Sequence, residues 1–198
     1  MRRLTLSAAT TTVAVAALLV GLTRTGAEQR GRVSVAATTA DLAAIVKVVG
    51  GDDVDTFALF RGCMLRRDML VEADAARRLP GVDAVAWTGF FNESSAIHAS
   101  IEKLPAATRQ RLRQPAWIDV SRDAMRVGIP TSSCEGYVEP QFMHGDPYFW
   151  LNPRNGAVIA RNLAEGLAAL RPERRAAFSA NAEAFSAALA EDVARWQQ

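Results

Sequence analysis

Met143-His144-Gly145-Asp146-Pro147-Tyr148-Phe149-Trp150-Leu151-Asn152-Pro153-Arg154-Asn155 is the stretch that decides how this 198-residue chain is organised. Gly145-Asp146-Pro147 forms a turn, because proline fixes its own φ and drives the preceding residue out of the helical region. Asn152-Pro153 opens a helix, with Asn as the N-cap and Pro at the first helical position. The helix that follows carries Val158, Ile159, Leu163, Leu167 and Leu170 on one face. A polar loop that runs into a helix N-terminus is a common place for a binding site.

Working outward, the chain alternates between two hydrophobic periods. Residues 33–38 form a short β-branched run, and Thr39 or Asp41 then caps a helix bearing Leu42, Ile45, Val46 and Val49, stopped at Gly50-Gly51. Residues 54–60 read as a second strand and 82–87 as a third, apolar enough for the middle of a sheet. A short helix over 71–79 lies between them, stopped at Pro80-Gly81. A further helix spans 92–103, with Ile97, Ile101 and Leu104 on one face; Pro105 interrupts it and a basic segment runs to Gln114. Residues 116–120 form a fourth strand. Residues 121–149 are irregular and rich in Gly and Pro, a length that marks a functional loop or an insertion. Residues 172–198 carry Phe178, Phe185, Leu189, Val193 and Trp196 as one helical stripe, with no stop signal after Trp196. The expected fold class is α/β: a three-layer lobe with a mainly parallel four-stranded sheet, ending in a long helix.

Composition narrows the function. The net charge of +2 includes Arg2, Arg3 and Arg24; without them 20 basic residues face 21 acidic ones, or −1. That is no nucleic-acid footprint. Met1-Arg2-Arg3, an uncharged run over 4–23 and Thr25-Gly26-Ala27 read as a secretory signal peptide over residues 1–27, leaving 28–198 as the mature lobe. The alternative is a membrane anchor, since 20 uncharged residues just span a bilayer. Cys63 and Cys134 are the only cysteines. In an exported protein they are either a disulfide, stabilising by roughly 4 kcal/mol through loop entropy, or free thiols.

The opening stretch also resembles the "G-N-P-H-Y-W-L-D-P-x-N" segment of the metal-specific (zinc and manganese) substrate-binding proteins of ABC transporters. Tyr148 stands where that family has a metal-binding histidine, and Trp150-Leu151-Asn152-Pro153 stands on its W-L-D-P. Further likenesses keep the same order. Val33 to Thr38 with Ala40-Asp41-Leu42, then Val49-Gly50-Gly51-Asp52, is similar to the opening strand, helix and "G-G-D". Thr88-Gly89-Phe90-Phe91-Asn92-Glu93 is similar to "N-G-x-x-L-E". Pro172-Glu173 through Asn181, with Phe185 to Leu189, resembles the "P-x-x-x-x-x-Y-x-x-N" start of the helix that bridges two lobes. The resemblance implies an N-terminal solute-binding lobe ending in a bridging-type helix, with zinc or manganese as transported ligand and an ABC permease at the membrane as partner. It also implies a second lobe beyond the bridging helix that supplies two further ligands.

The ligand set departs from the family's. After the second strand the family carries "D-P-H"; here Arg61-Gly62-Cys63-Met64-Leu65-Arg66-Arg67-Asp68 holds no histidine. The metal-ligand candidates are His144, Tyr148, Cys63 and Asp68. His144 is a displaced ligand or an exposed loop histidine. Tyr148 is a phenolate, better suited to a hard trivalent cation than to zinc, or a packed aromatic beside Phe149 and Trp150. Cys63 is a thiolate ligand or half of a disulfide. Arg66 and Arg67 would repel a cation, recognise an anion, or pair with Glu72 and Asp74. His98, without a second ligand one turn away, reads as a surface residue.

Three functions fit this sequence. The first is the extracytoplasmic solute-binding component of a zinc or manganese transporter, as a single lobe with degenerate ligands. The second is a metal-binding-deficient relative that captures another ligand or a partner protein. The third is a small exported α/β enzyme, against which stands the absence of Gly-x-Ser-x-Gly, P-loop, Gly-x-Gly-x-x-Gly and His-Glu-x-x-His motifs. The C-terminal stripe adds an expectation of self-association, because an uncovered apolar face promotes it.

Overall fold

Val33, Val35 and Ala37 point to one side of a strand and Ala36 to the other, and all four are buried. This double burial is what a near-continuous apolar run requires in the middle of a parallel sheet. The computed structural model describes residues 31–60, 71–89, 91–112, 117–129, 145–146 and 148–198. Its strands are β1 (Val33–Ala37), β2 (Val54–Ala58), β3 (Ala84–Trp87) and β4 (Trp117–Asp119). They pair in parallel in the order β2-β1-β3-β4, with Val33 opposite Val54, Val35 opposite Ala84 and Val85 opposite Trp117. Every strand neighbour is parallel, one step beyond the mainly parallel sheet expected.

The helices are α1 (Ala40–Gly50), α2 (Ala73–Arg78), α3 (Phe91–Ile101), α4 (Ala106–Leu112), α5 (Pro153–Leu170) and α6 (Arg175–Trp196). They cover both faces of the sheet, which makes three layers. On one face Leu42, Val46 and Val49 of α1, Ile159, Leu163 and Leu167 of α5 and Phe178 of α6 meet Val33, Val35, Ala37, Ala84 and Ala86. On the other, Ala75, Leu79, Ile97 and Ile101 meet Ala36, Phe57, Leu59 and Val85. Each fully buried large side chain contributes roughly 1.5–3 kcal/mol.

Local chemistry fixes the helix ends. The Thr39 hydroxyl accepts from Leu42 N at 3.1 Å and caps α1, so Thr39 rather than Asp41 holds this position. Gly51 ends the helix at φ 58°, a conformation that costs glycine nothing sterically. Asn152 Oδ1 accepts from Arg154 N at 3.1 Å and Pro153 fills the first turn of α5, as the sequence requires. Gly50 has a packing reason as well: a Cβ there would lie 2.3 Å from a methyl of Val54.

Three expectations shift. The ladder of β2 stops at Ala58, although Leu59 N and Phe60 N still bond to Ala37 O and Thr38 O at 2.7 and 3.0 Å. The buried run simply outlasts the regular pairing. The helix expected over 71–79 begins at Ala73 and tightens into a 3-10 turn over Leu79–Gly81. The basic segment after Pro105 contains α4, whose helical residues lack an apolar stripe. Asp74 is engaged by Arg77, its i+3 neighbour, whereas Arg66 and Arg67 lie outside the described residues.

Phe178 and Ala182 of α6 are buried, Phe185, Leu189 and Val193 are half-buried, and Trp196 is 69% exposed. Gly156 of α5 makes room for α6, since a Cβ would come within 2.4 Å of Leu189. Asn181 donates to Val49 O at 3.0 Å and Arg174 bonds Asp53 at 2.8 Å. The turn after α1 is thereby tied to the start of the final helix. No described helix is long and apolar enough to cross a membrane.

Candidate functional site

Between β1 and β3 the direction of chain winding reverses: β1 leads to β2 on one side, and β3 leads to β4 on the other. In an open α/β sheet ligands bind outside the carboxyl ends of the strands at such a switch point. The residues that leave those ends here are Thr38 and Thr39 after β1, Thr88 and Gly89 after β3, and Val120 and Ser121 after β4. The N-termini of α1 and α3 start from the same edge, and helix N-termini favour negative charge.

A buried carboxyl sits at this edge. Glu93, in the first turn of α3, has 0% exposure. Its Oε2 accepts from Thr88 N at 2.8 Å and from Thr88 Oγ1 at 2.6 Å. The Thr38 hydroxyl lies beside the same carboxyl, near enough to favour its ionised form but short of good hydrogen-bond geometry. Thr38 Oγ1 and Glu93 Oε1 are therefore both buried without a partner among the described residues. Burial pushes the Glu93 carboxyl above its usual value of 4.5 and outweighs the Thr88 and Thr38 contacts, with Asp119 raising it further.

Next to it, Asp119 Oδ1 accepts from both Ser121 N and Ser121 Oγ at 2.8 Å, and Arg126 Nη2 donates to Ser121 Oγ at 2.8 Å. Gly89, at φ 79°, fits against this group; a Cβ would lie 2.8 Å from Ser121 Oγ. An open groove of about 680 Å³ runs beside β4, walled by Trp117, Ile118, Gly166 and Leu170 and ending at Ser121 and Arg122. Arg122 bonds Asn162 Oδ1 at 3.2 Å and pairs with Glu165, so its charge is already matched.

The opening stretch is fastened to the far end of β4. Asn155 is 1% exposed; its Oδ1 accepts from Met125 N at 2.7 Å, and its Nδ2 donates to Met125 O at 2.9 Å and Phe149 O at 2.8 Å. Asn162, two turns further along the same face of α5, donates to Val120 O and Arg122 O at 3.0 and 2.7 Å. These two amides satisfy the carbonyls that a strand leaves behind when it breaks into a loop. Phe149 drops into the core and contacts Trp150 edge-on at 5.9 Å.

Of the four metal-ligand candidates the described residues include Tyr148. It is half-buried, its backbone N donates to Asp146 Oδ1 at 2.9 Å, and its ring meets Trp150 edge-on at 5.4 Å. His144, Cys63 and Asp68 lie outside the described residues, as does Cys134 with any pairing of the cysteines. Among the described residues no group of three or more His, Cys, Asp or Glu side chains is arranged to hold a metal ion. His98 is exposed, as expected, and its ring stacks on Trp117 at 5.9 Å. Sequence reading passed over Glu93 as a site residue. Its signals are its place as the last letter of the segment similar to "N-G-x-x-L-E" and its position five residues after Thr88 at a strand-to-helix turn.

The family model described as "ZnuA: Zinc-uptake complex component A periplasmic" matches residues 35–198. No curated protein matches. Among solved structures, a crystal structure of ZnuA is 20% identical with a TM-score of 0.63, over 81% of this chain and 55% of that one. The Zn(II)-bound ZnuA-like domain of Streptococcus pneumoniae AdcA is 17% identical with a TM-score of 0.59, over 81% and 53%. A Mn-bound periplasmic metal binding protein from Candidatus Liberibacter asiaticus is 16% identical with a TM-score of 0.58, over 78% and 52%. At these identities the likeness is one of fold, and the chain spans about half the length of the structures it matches.

Proposed function

This chain belongs to the periplasmic zinc-uptake complex component A family, and from that membership we propose that it is the extracytoplasmic solute-binding component of a zinc or manganese ABC transporter. The observation that carries this reading is the family match over residues 35–198, which runs through the whole four-stranded sheet. The cation is cargo in this reading. It is held at the carboxyl edge of the sheet and presented to a membrane permease, with no catalysis by the chain.

Residues 1–27 serve as the signal peptide and 28–198 as the solute-binding lobe, released on the outer side of the membrane. His144, Tyr148, Cys63 and Asp68 are the side chains offered to the cation. Zinc takes about four N, S or O ligands, so the set is incomplete when one of them is occupied otherwise. The Tyr148 ring packs against Trp150 at the position where the resembling family has a histidine, which supports a weak, degenerate site over a tight one. The same observation favours a second reading, a relative whose edge captures a partner protein in place of a metal.

Elemental analysis of the exported protein as purified tests the proposal. Sub-stoichiometric zinc or manganese that rises when either metal is supplied supports cation capture. No metal at any supply favours the second reading.

A further inference from the structure

Burying a carboxylate without full hydrogen bonding costs several kcal/mol, and such groups neutralise instead. Glu93 is fully buried at the carboxyl edge of the sheet, with one oxygen bonded twice to Thr88 and the other unpaired. The second orphan atom, Thr38 Oγ1, belongs to the residue that follows β1, across the switch point from Thr88. A protonated carboxyl is one acceptor oxygen plus one O–H donor. That pattern satisfies both orphans at once: Oε2 continues to accept from Thr88, and Oε1–H donates to Thr38 Oγ1, which lies beside the carboxyl; an ionised carboxylate would instead take the Thr38 O–H, at the cost of a fully buried charge.

We propose that Glu93 is a positioning residue for the cation edge, an uncharged clasp whose proton ties the end of β3 to the end of β1. The inference rests on the proposed function for the word cation; the clasp itself rests on the geometry. Among the described residues, three others face Glu93. Thr38 follows β1, Thr88 follows β3 and Asp119 ends β4, the last already bonded to Ser121, which in turn is held by Arg126. The Asp119 carboxyl disfavours a second negative charge beside it. Ionisation of Glu93 would place two carboxylates at the same edge and turn Oε1 into an acceptor.

The sign of the pH effect follows. The folded-state carboxyl titrates above the usual 4.5, so its contribution to stability is complete below that pH and is lost as pH rises through the folded value. Glu93→Gln keeps the donor and acceptor and cannot ionise.

The test uses the whole chain without metal, scanned by urea unfolding from about pH 4 to about pH 9, with amide exchange read at Thr88. Glu93→Gln should match the native chain at the acid end and gain on it progressively above pH 4.5. Thr38→Val, which leaves the carboxyl in place, should speed Thr88 exchange about tenfold at acid pH. A Gln variant whose difference from the native chain does not change with pH overturns the clasp, and so does unaltered Thr88 exchange in Thr38→Val. Zinc alone is then titrated into the same three proteins. Loss of zinc binding in all three, the native chain included, refutes the proposed function, while the metal-free arms still decide the clasp.

Discussion

Asn155→Ala removes the amide that fastens the Tyr148–Leu151 turn to the chain leaving β4. Three hydrogen bonds of 2.7, 2.8 and 2.9 Å disappear together, from a side chain only 1% exposed. At about 1 kcal/mol net per bond the loss is about 3 kcal/mol. Phe149 O is the most costly to orphan, because its bond is buried while the two at Met125 are partly open to water. Alanine returns about 0.5 kcal/mol of helix propensity in the first turn of α5. The expected net loss is therefore about 2–3 kcal/mol, or about 5–10 °C in Tm for a chain of this size. Urea unfolding monitored by tryptophan fluorescence measures it, and amide exchange at Met125 should quicken in the same variant. A loss below about 1 kcal/mol with Met125 still protected would refute the reasoning, since it would mean that water or backbone replaces the amide freely.

Two further substitutions test the packing. Gly50→Ala should destabilise by about 1–2 kcal/mol in urea, because the new methyl meets the stiff, buried Val54 side chain at 2.3 Å and the gain in helix propensity does not offset that. Trp196→Asp should leave folding stability within about 0.5 kcal/mol, since Trp196 is 69% exposed, and should lessen concentration-dependent self-association in light scattering. Native protein that stays monomeric at all concentrations would remove self-association from the account.

Much of the fold was legible because its signals are local. Asn152-Pro153 and the apolar stripe placed α5 with its observed bounds, Pro153–Leu170. Gly50-Gly51 ended α1 for a steric reason visible in the sequence. Helix α4 was not legible: a short basic helix after Pro105 has no apolar period to announce it. The extent of β2 was overread because burial of Leu59 and Phe60 continues past the ladder. At the site, the resemblance marked Asn155 and Asn181 as the last letters of two motifs, and the structure gives each a hydrogen-bonding reason. Glu93 is likewise the last letter of a motif, but its burial was not legible, because a glutamate in a first helical turn is ordinarily solvated. Only the packing of β1 against β3, which brings Thr38 and Thr88 to it, makes it a buried group.

The central claim is a cation-capturing lobe whose ligand shell is degenerate, and calorimetric titration of zinc into the reduced chain tests it most directly. The account predicts stoichiometric but weak binding, about micromolar or poorer, equivalent to no more than about 8 kcal/mol. Tyr148→His alone should tighten it little, because the loop of Cys63 and Asp68 still lacks a histidine. Nanomolar binding abolished by His144→Ala would contradict the degenerate shell and make His144 the replacement ligand. An absence of heat up to about millimolar zinc would contradict cation capture itself.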